Sequence, residues 1–353
     1  MSSSRSFSRP GLVRCVFAGW MLAAGMSYTA CAKAQRPSTV NDPHVIRVWG
    51  YSGLSKQLLR WEAEYLLQHP DIRFDNQLHG ASAVMAGLYD GVADVALMGR
   101  EIWPVETMAY RWVYQQPAFG VTVATAGLHA PGQLFTPVVI VNAANPLRSI
   151  SLEQMDAIYG SEHRAAPANI RTWGELGLQG RWADKPIHVY GFGPEDALGV
   201  YFRQNVLRSD FKPNAESHLL SDSDGNRVSA AQRIAAAVAG DPYAIGYTRL
   251  PSGQGVKALA LDTPSPIVAS EDSLATHQYP LTRAVWIYFR REPEKPIDPK
   301  VSQFVRFLLS TQGQALVGPA DELIPLTPER MQSQVQKLDK PMPKSVDVEG
   351  QEP

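Results

Sequence analysis

Thiols are almost missing from this chain. Its two cysteines, Cys15 and Cys31, both lie within residues 1–34. A protein cleaved after Ala34 would have no disulfide framework, thiolate metal site or cysteine nucleophile. Net charge is also scarce, at −1 overall, and losing Arg5, Arg9, Arg14 and Lys33 would move it to −5, with 29 basic against 34 acidic residues. A nucleic-acid surface is therefore not expected, and any anion site must work through local donors and helix ends rather than a global field. The histidines, including His79, His163 and His188, lack the His-x-x-x-His type of spacing that a metal site requires. Each is read as a surface or satisfied core residue.

Two further signatures fail on inspection. Gly191-Phe-Gly193-Pro-Glu-Asp196 follows an apolar run, but its sixth position is Asp where dinucleotide binding needs a glycine for close helix packing. Gly50-Tyr-Ser52-Gly53 has its second glycine one position too early for a nucleophile elbow. There is no internal repeat or low-complexity tract. No Ser-His or metal arrangement points to an enzyme, and neither a cofactor nor a metal is expected.

What is present is a 353-residue chain of 44% hydrophobic residues, long enough for two domains with proper cores. Residues 1–34 carry three arginines, an apolar stretch over 16–26 and Ala32-Lys33-Ala34, the pattern of a secretory signal with an Ala-x-Ala site. The expected location is exported, periplasmic. Thr29-Ala30-Cys31 also resembles the end of a lipoprotein box, so lipid attachment at Cys31 is the alternative.

The chain is organised around Asp94-Val95-Ala96-Leu97-Met98-Gly99-Arg100-Glu101. A short apolar run rich in small and β-branched residues predicts a buried parallel strand, closed by Gly99. Ligands of open α/β sheets collect at such carboxyl ends, where Gly99 offers an approachable backbone and Arg100 a positive fork. The alternative reading is an Arg100 that salt-bridges a neighbour.

Before it, residues 45–49 predict a strand, 54–68 an amphipathic helix, 71–78 a second strand, and 79–83 a turn into a helix reaching residue 89. A helix is expected over 104–114 and strands over 119–124 and 137–142, with the crossing into a second lobe between these strands. The second lobe is expected to contain helix 152–159, packing anchors Trp173 and Trp182, strand 186–190, helix 197–207, an irregular stretch over 209–227, helix 228–239 and strand 244–247. Strand 282–290 and helices 298–310 and 312–317 follow, then a disordered tail over 337–353. The lobe boundaries are expected at 44–125, 126–250 and 251–330.

Several of these segments together carry a resemblance. Gly80-Ala81-Ser82, Leu88-Tyr-Asp-Gly91-Val-Ala-Asp94, Arg100-Glu101, Asn145-Pro146-Leu147, Ala244-Ile-Gly246-Tyr247, Leu309-Ser310-Thr-Gln-Gly313-Gln314 and Ile324-Pro325-Leu326 occur in an order that resembles the PstS-like phosphate-binding proteins. The resemblance implies a two-lobe type II periplasmic-binding-protein fold, each lobe a mixed sheet flanked by helices, joined by two crossing strands. It implies a monomeric receptor holding a small anion, most naturally phosphate, for an ABC permease. Carried over by position, the ligand residues are Ser52, Gly53, Ala81, Ser82, Gly99 and Arg100 in the first lobe and Asp196 and Ala197 in the second. Two departures stand out. Phe192 and Asp196-Ala197-Leu198 replace the family's Arg and Ser-Gly-Thr, and Gly99 stands where Ser is common. Asp196 is either the N-cap of its helix or a ligand contact. A degenerate domain acting as sensor, adhesin or envelope interaction protein, and a phosphate-ester hydrolase, are the other readings.

Overall fold

Alternating strands and helices dominate the computed structural model, which describes residues 42–165, 168–208, 212–251, 253–318 and 322–341. The proposed signal and Cys31 lie outside the described residues. The first sheet has the strand order β14-β4-β13-β3-β1-β2. It contains β1 (Val45–Tyr51), β2 (Arg73–His79), β3 (Val95–Met98), β4 (Phe119–Ala126), β13 (Ala284–Phe289) and β14 (Leu323–Ile324). β1 pairs in parallel with both β2 and β3, so the turns after these three strands share one edge of the sheet. β13 runs antiparallel between β3 and β4.

The second sheet has the order β10-β5-β9-β7-β8, with β5 (Val138–Asn142), β7 (His188–Phe192), β8 (His218–Leu220), β9 (Ala244–Thr248) and β10 (Val256–Ala258). A small third sheet joins β6 (Ser149–Ser151), β11 (Ala260–Thr263) and β12 (Ser265–Ile267). The chain crosses from the first sheet to the second after β4 and returns to it at β13. This is a mixed α/β fold of two sheet-based lobes.

Every residue of β3 is buried, as a strand covered on both faces must be. Helix α1 (Ser55–Gln68) places Leu58, Trp61 and Tyr65 on one face, and Tyr65 packs edge-on against Phe304 of α8 (Pro299–Leu308) at 5.2 Å. Trp61 also donates from Nε1 to the Gly313 carbonyl at 2.9 Å, tying α1 to the chain's later return. In the second lobe Trp173 and Trp182 meet edge to face at 6.2 Å, as packing anchors.

Four expectations need correction. The helix after β2 is only α2 (Ala86–Tyr89), and residues 81–85 form turns, so Ser82 is not at a helix start. Strand β8 lies within the stretch read as irregular, its short half-exposed run giving little periodicity. β10 pairs with β5 in the second sheet, beyond the return expected at residue 250. Helix α10 (Pro328–Asp339) takes in residues 337–339, capped by Thr327 and anchored by the buried Leu338. Residues 342–353 of the expected tail lie outside the described residues.

Candidate functional site

Three strand-end turns form the first half of the candidate site. Ser52 and Gly53 lie in a 3-10 turn directly after β1, and Ala81 and Ser82 lie in the turn after β2. Gly99 and Arg100 follow β3. The side chains of Ser52 and Ser82 are exposed, whereas Gly99 and Arg100 are buried.

Arg100 is committed to its neighbours. Its guanidinium grips Glu106 of α3 (Pro104–Tyr114) with contacts of 2.8 and 2.7 Å, and it donates to the carbonyls of Ala81 at 2.7 Å and Glu101 at 2.9 Å. It also stacks over Trp103 at 3.7 Å. The fork thus braces the second turn against the third, the neighbour-pairing alternative for Arg100, with Glu106 as its counter-charge.

The second half is the start of helix α5 (Ala197–Asn205), which follows β7. Asp196 is its N-cap by backbone geometry, yet its side chain makes no cap bond. The carboxamide of Gln133 takes that role: Oε1 accepts from the Leu198 N–H at 3.4 Å, and Nε2 donates to Asp196 at 2.7 Å and Asp222 at 2.9 Å. Asp196 Oδ2 remains buried without a partner. Phe192 is an apolar wall against Tyr247 and Phe135.

Gln133 belongs to the crossing between β4 and β5, and this segment links the two halves. Gly132 adopts φ 59°, the left-handed region that favours glycine. Leu134 packs onto Gly99 so tightly that a Cβ there would lie 2.4 Å from the leucine Cδ1. A Ser at this position would require that side-chain end to shift. Arg283, at the start of β13, is 1% exposed and donates to the carbonyls of Gly99 at 3.2 Å, Phe135 at 3.4 Å and Gln133. Burial lowers the proton affinity of this guanidinium, partly offset by Glu101. The ring of Tyr201, on α5, lies 5.1 Å from it.

Gln133, Arg283 and Tyr201 were not singled out by sequence reasoning. Their roles depend on the fold of a connecting loop, and a lone Gln or Arg at a strand boundary carries no spacing signal. Among the described residues there is no group of three or more His, Cys, Asp or Glu placed to hold a metal, and no helix long and apolar enough to cross a membrane.

Two sheet-based lobes are thus linked by a crossing segment that touches the start of α5 and packs on the turn after β3, the architecture of a bilobal binding protein. Residues 38–312 match the PBP superfamily domain, and the chain belongs to that family. It is 28% identical over 342 residues to the phosphate-binding protein PstS of Pseudomonas aeruginosa, covering 93% of this chain and 99% of that protein. It is 26% identical over 180 residues to the protein SphX of Synechococcus elongatus, covering 50% of each. Among solved structures, the PstS of Borrelia burgdorferi superposes with a TM-score of 0.56 at 17% identity, over 80% of this chain and 99% of that one. An ABC-type phosphate transport receptor from Vibrio cholerae superposes with a TM-score of 0.54 at 21% identity, over 79% and 99%. At these identities the two structures bear on the fold alone.

Proposed function

We propose that this protein is an exported receptor that captures a small anion, phosphate first among them, between its lobes and presents it to an ABC permease. The observation that carries this reading is the match to a phosphate-binding protein over 93% of the chain. The juxtaposed turns after β1, β2 and β3 and the start of α5 support it, because backbone donors and a helix N-terminus suit an oxyanion. In this reading the first lobe comprises the first sheet, including its return through β13 and β14, and the second lobe is built on the other sheets. Ser52, Gly53, Ala81, Ser82, Gly99 and Ala197 supply the contacts, Asp196 lines the far wall, and Arg100 acts through the turn it braces. The protein works as a monomer without cofactor, nucleic acid or covalent chemistry, in the periplasm, after cleavage near Ala34 or anchored at Cys31.

The test is thermal unfolding with phosphate, sulfate and a panel of organic anions and amino acids. A ligand at 100 times its Kd adds about 2.7 kcal/mol, a rise of several degrees. A second reading, a binding domain that has lost its solute and acts as an envelope interaction protein, is favoured by the side chain of Gln133 lying at the start of α5. Silence across the whole panel would select it.

A further inference from the structure

Among the described residues, Arg283 is a buried cation without a counter-ion. Its donors meet only backbone carbonyls, those of Gly99, Gln133 and Phe135, and its Nε has no partner. No carboxylate pairs with it among the described residues, although the field of Glu101 reaches it. Desolvating a guanidinium without an opposite charge is costly unless something else compensates it. Here the compensation is a cluster of carbonyl oxygens drawn from the turn after β3 and from the crossing segment, much as an oxyanion would surround it with oxygens.

The same segment covers the other half of the site. The Gln133 carboxamide accepts from the first turn of α5 and donates to Asp196, a carboxylate that is otherwise buried and unsatisfied. Residues 133–135 thus touch both the buried cation and the helix start, where the Asp196 and Asp222 carboxylates also lie. Arg249 holds the segment from behind, donating to the Gly132 carbonyl at 3.0 Å. Arg249 also lines a cavity of about 460 Å³ together with His129 and Leu250.

We propose that Arg283 is an anion-binding residue of the cleft and that residues 133–135 are its tethered stand-in, displaced when a small oxyanion enters. This rests on the binding function proposed above. The apparent affinity of the native protein is then reduced by the fraction of molecules in which the segment is seated, and weakening its hold removes that handicap.

The experiment is a calorimetric titration of the protein with inorganic phosphate, run on the native chain, on Gln133→Ala and on Arg283→Lys, with deuterium exchange at the Leu134 amide. That amide bonds to the Pro131 carbonyl at 3.1 Å within the seated segment. Gln133→Ala should bind phosphate at least tenfold tighter than the native chain, and saturating phosphate should speed exchange at Leu134 in the native chain. Arg283→Lys, if it folds, should bind at least tenfold more weakly. Native binding with equal or weaker affinity in Gln133→Ala overturns the stand-in and leaves the receptor reading intact. Binding by Gln133→Ala alone supports the stand-in and refutes phosphate as the native solute. Binding by neither overturns both.

Discussion

Arg100 and Glu106 form a two-pronged ion pair in which both side chains are almost fully buried, at 2% and 7% exposure. The carboxylate also accepts from the Trp103 N–H at 2.7 Å, so one residue of α3 fixes both the start of its own helix and the turn after β3. Removing one partner of such a pair leaves an uncompensated buried charge, which typically costs about 3–5 kcal/mol. Glu106→Gln is expected to lower the unfolding free energy by that order in a denaturant melt. A loss below about 1 kcal/mol would mean that Arg100 finds another partner.

Ser82 behaves differently because its side chain is exposed. Ser82→Ala should leave stability within about 0.5 kcal/mol, as surface substitutions do. A hydrogen bond to a charged partner contributes roughly 1.5–3 kcal/mol, so the same variant should weaken phosphate binding by about tenfold to a hundredfold in a calorimetric titration. Unchanged affinity would remove Ser82 from the site.

A buried carboxyl on α1 is expected to act on stability between pH 4.5 and about 7, in the direction opposite to His277. Burial raises Glu62 from 4.5 to about 7, against the lowering effect of a 2.8 Å hydrogen bond from Asn76. A raised folded-state value means that the stabilisation from the neutral form is complete below pH 4.5 and is lost as pH rises through 7. Glu62→Gln, which stays neutral, should therefore gain on the order of 1 kcal/mol at pH 8 and little at pH 4.5. Melting curves at the two pH values check this, and an equal effect at both would contradict it.

The acid limb is expected to follow His277. Burial, with Arg330 adding to it, lowers this imidazole from 6.5 to about 4, and its Nε2 lies 3.0 Å from the Thr125 hydroxyl. A depressed value on a basic group means that stability is held above pH 6.5 and lost as pH falls towards 4. His277 sits at φ 56°, a conformation asparagine tolerates. His277→Asn should flatten the decline between pH 6.5 and 4, and an unaltered slope would assign it to other groups.

Much of the fold was legible because its signals are local. The apolar run ending at Gly99 predicted β3, and the helix expected over 298–310 contains α8, in which Val301, Phe304, Val305 and Leu308 recur at helical spacing and are buried. The half-exposed β8 and the four-residue α2 were missed or overextended, since neither is long enough to display a period. The first-lobe turns were legible as strand ends followed by Gly and Ser. Arg100 was legible as the residue closing β3, but its partner was not, because Glu106 reads equally well as an ordinary first-turn acid. Gln133 and Arg283 act across 150 residues of sequence through backbone carbonyls, a contact that no residue pattern announces.

The most direct test of the central claim is a calorimetric titration of the native protein with inorganic phosphate, with sulfate run in parallel. Saturable binding of one phosphate per chain, weakened in Ser82→Ala, is the predicted result. A flat titration with phosphate alongside clear binding of another solute, or with no solute at all, would contradict phosphate capture between the lobes.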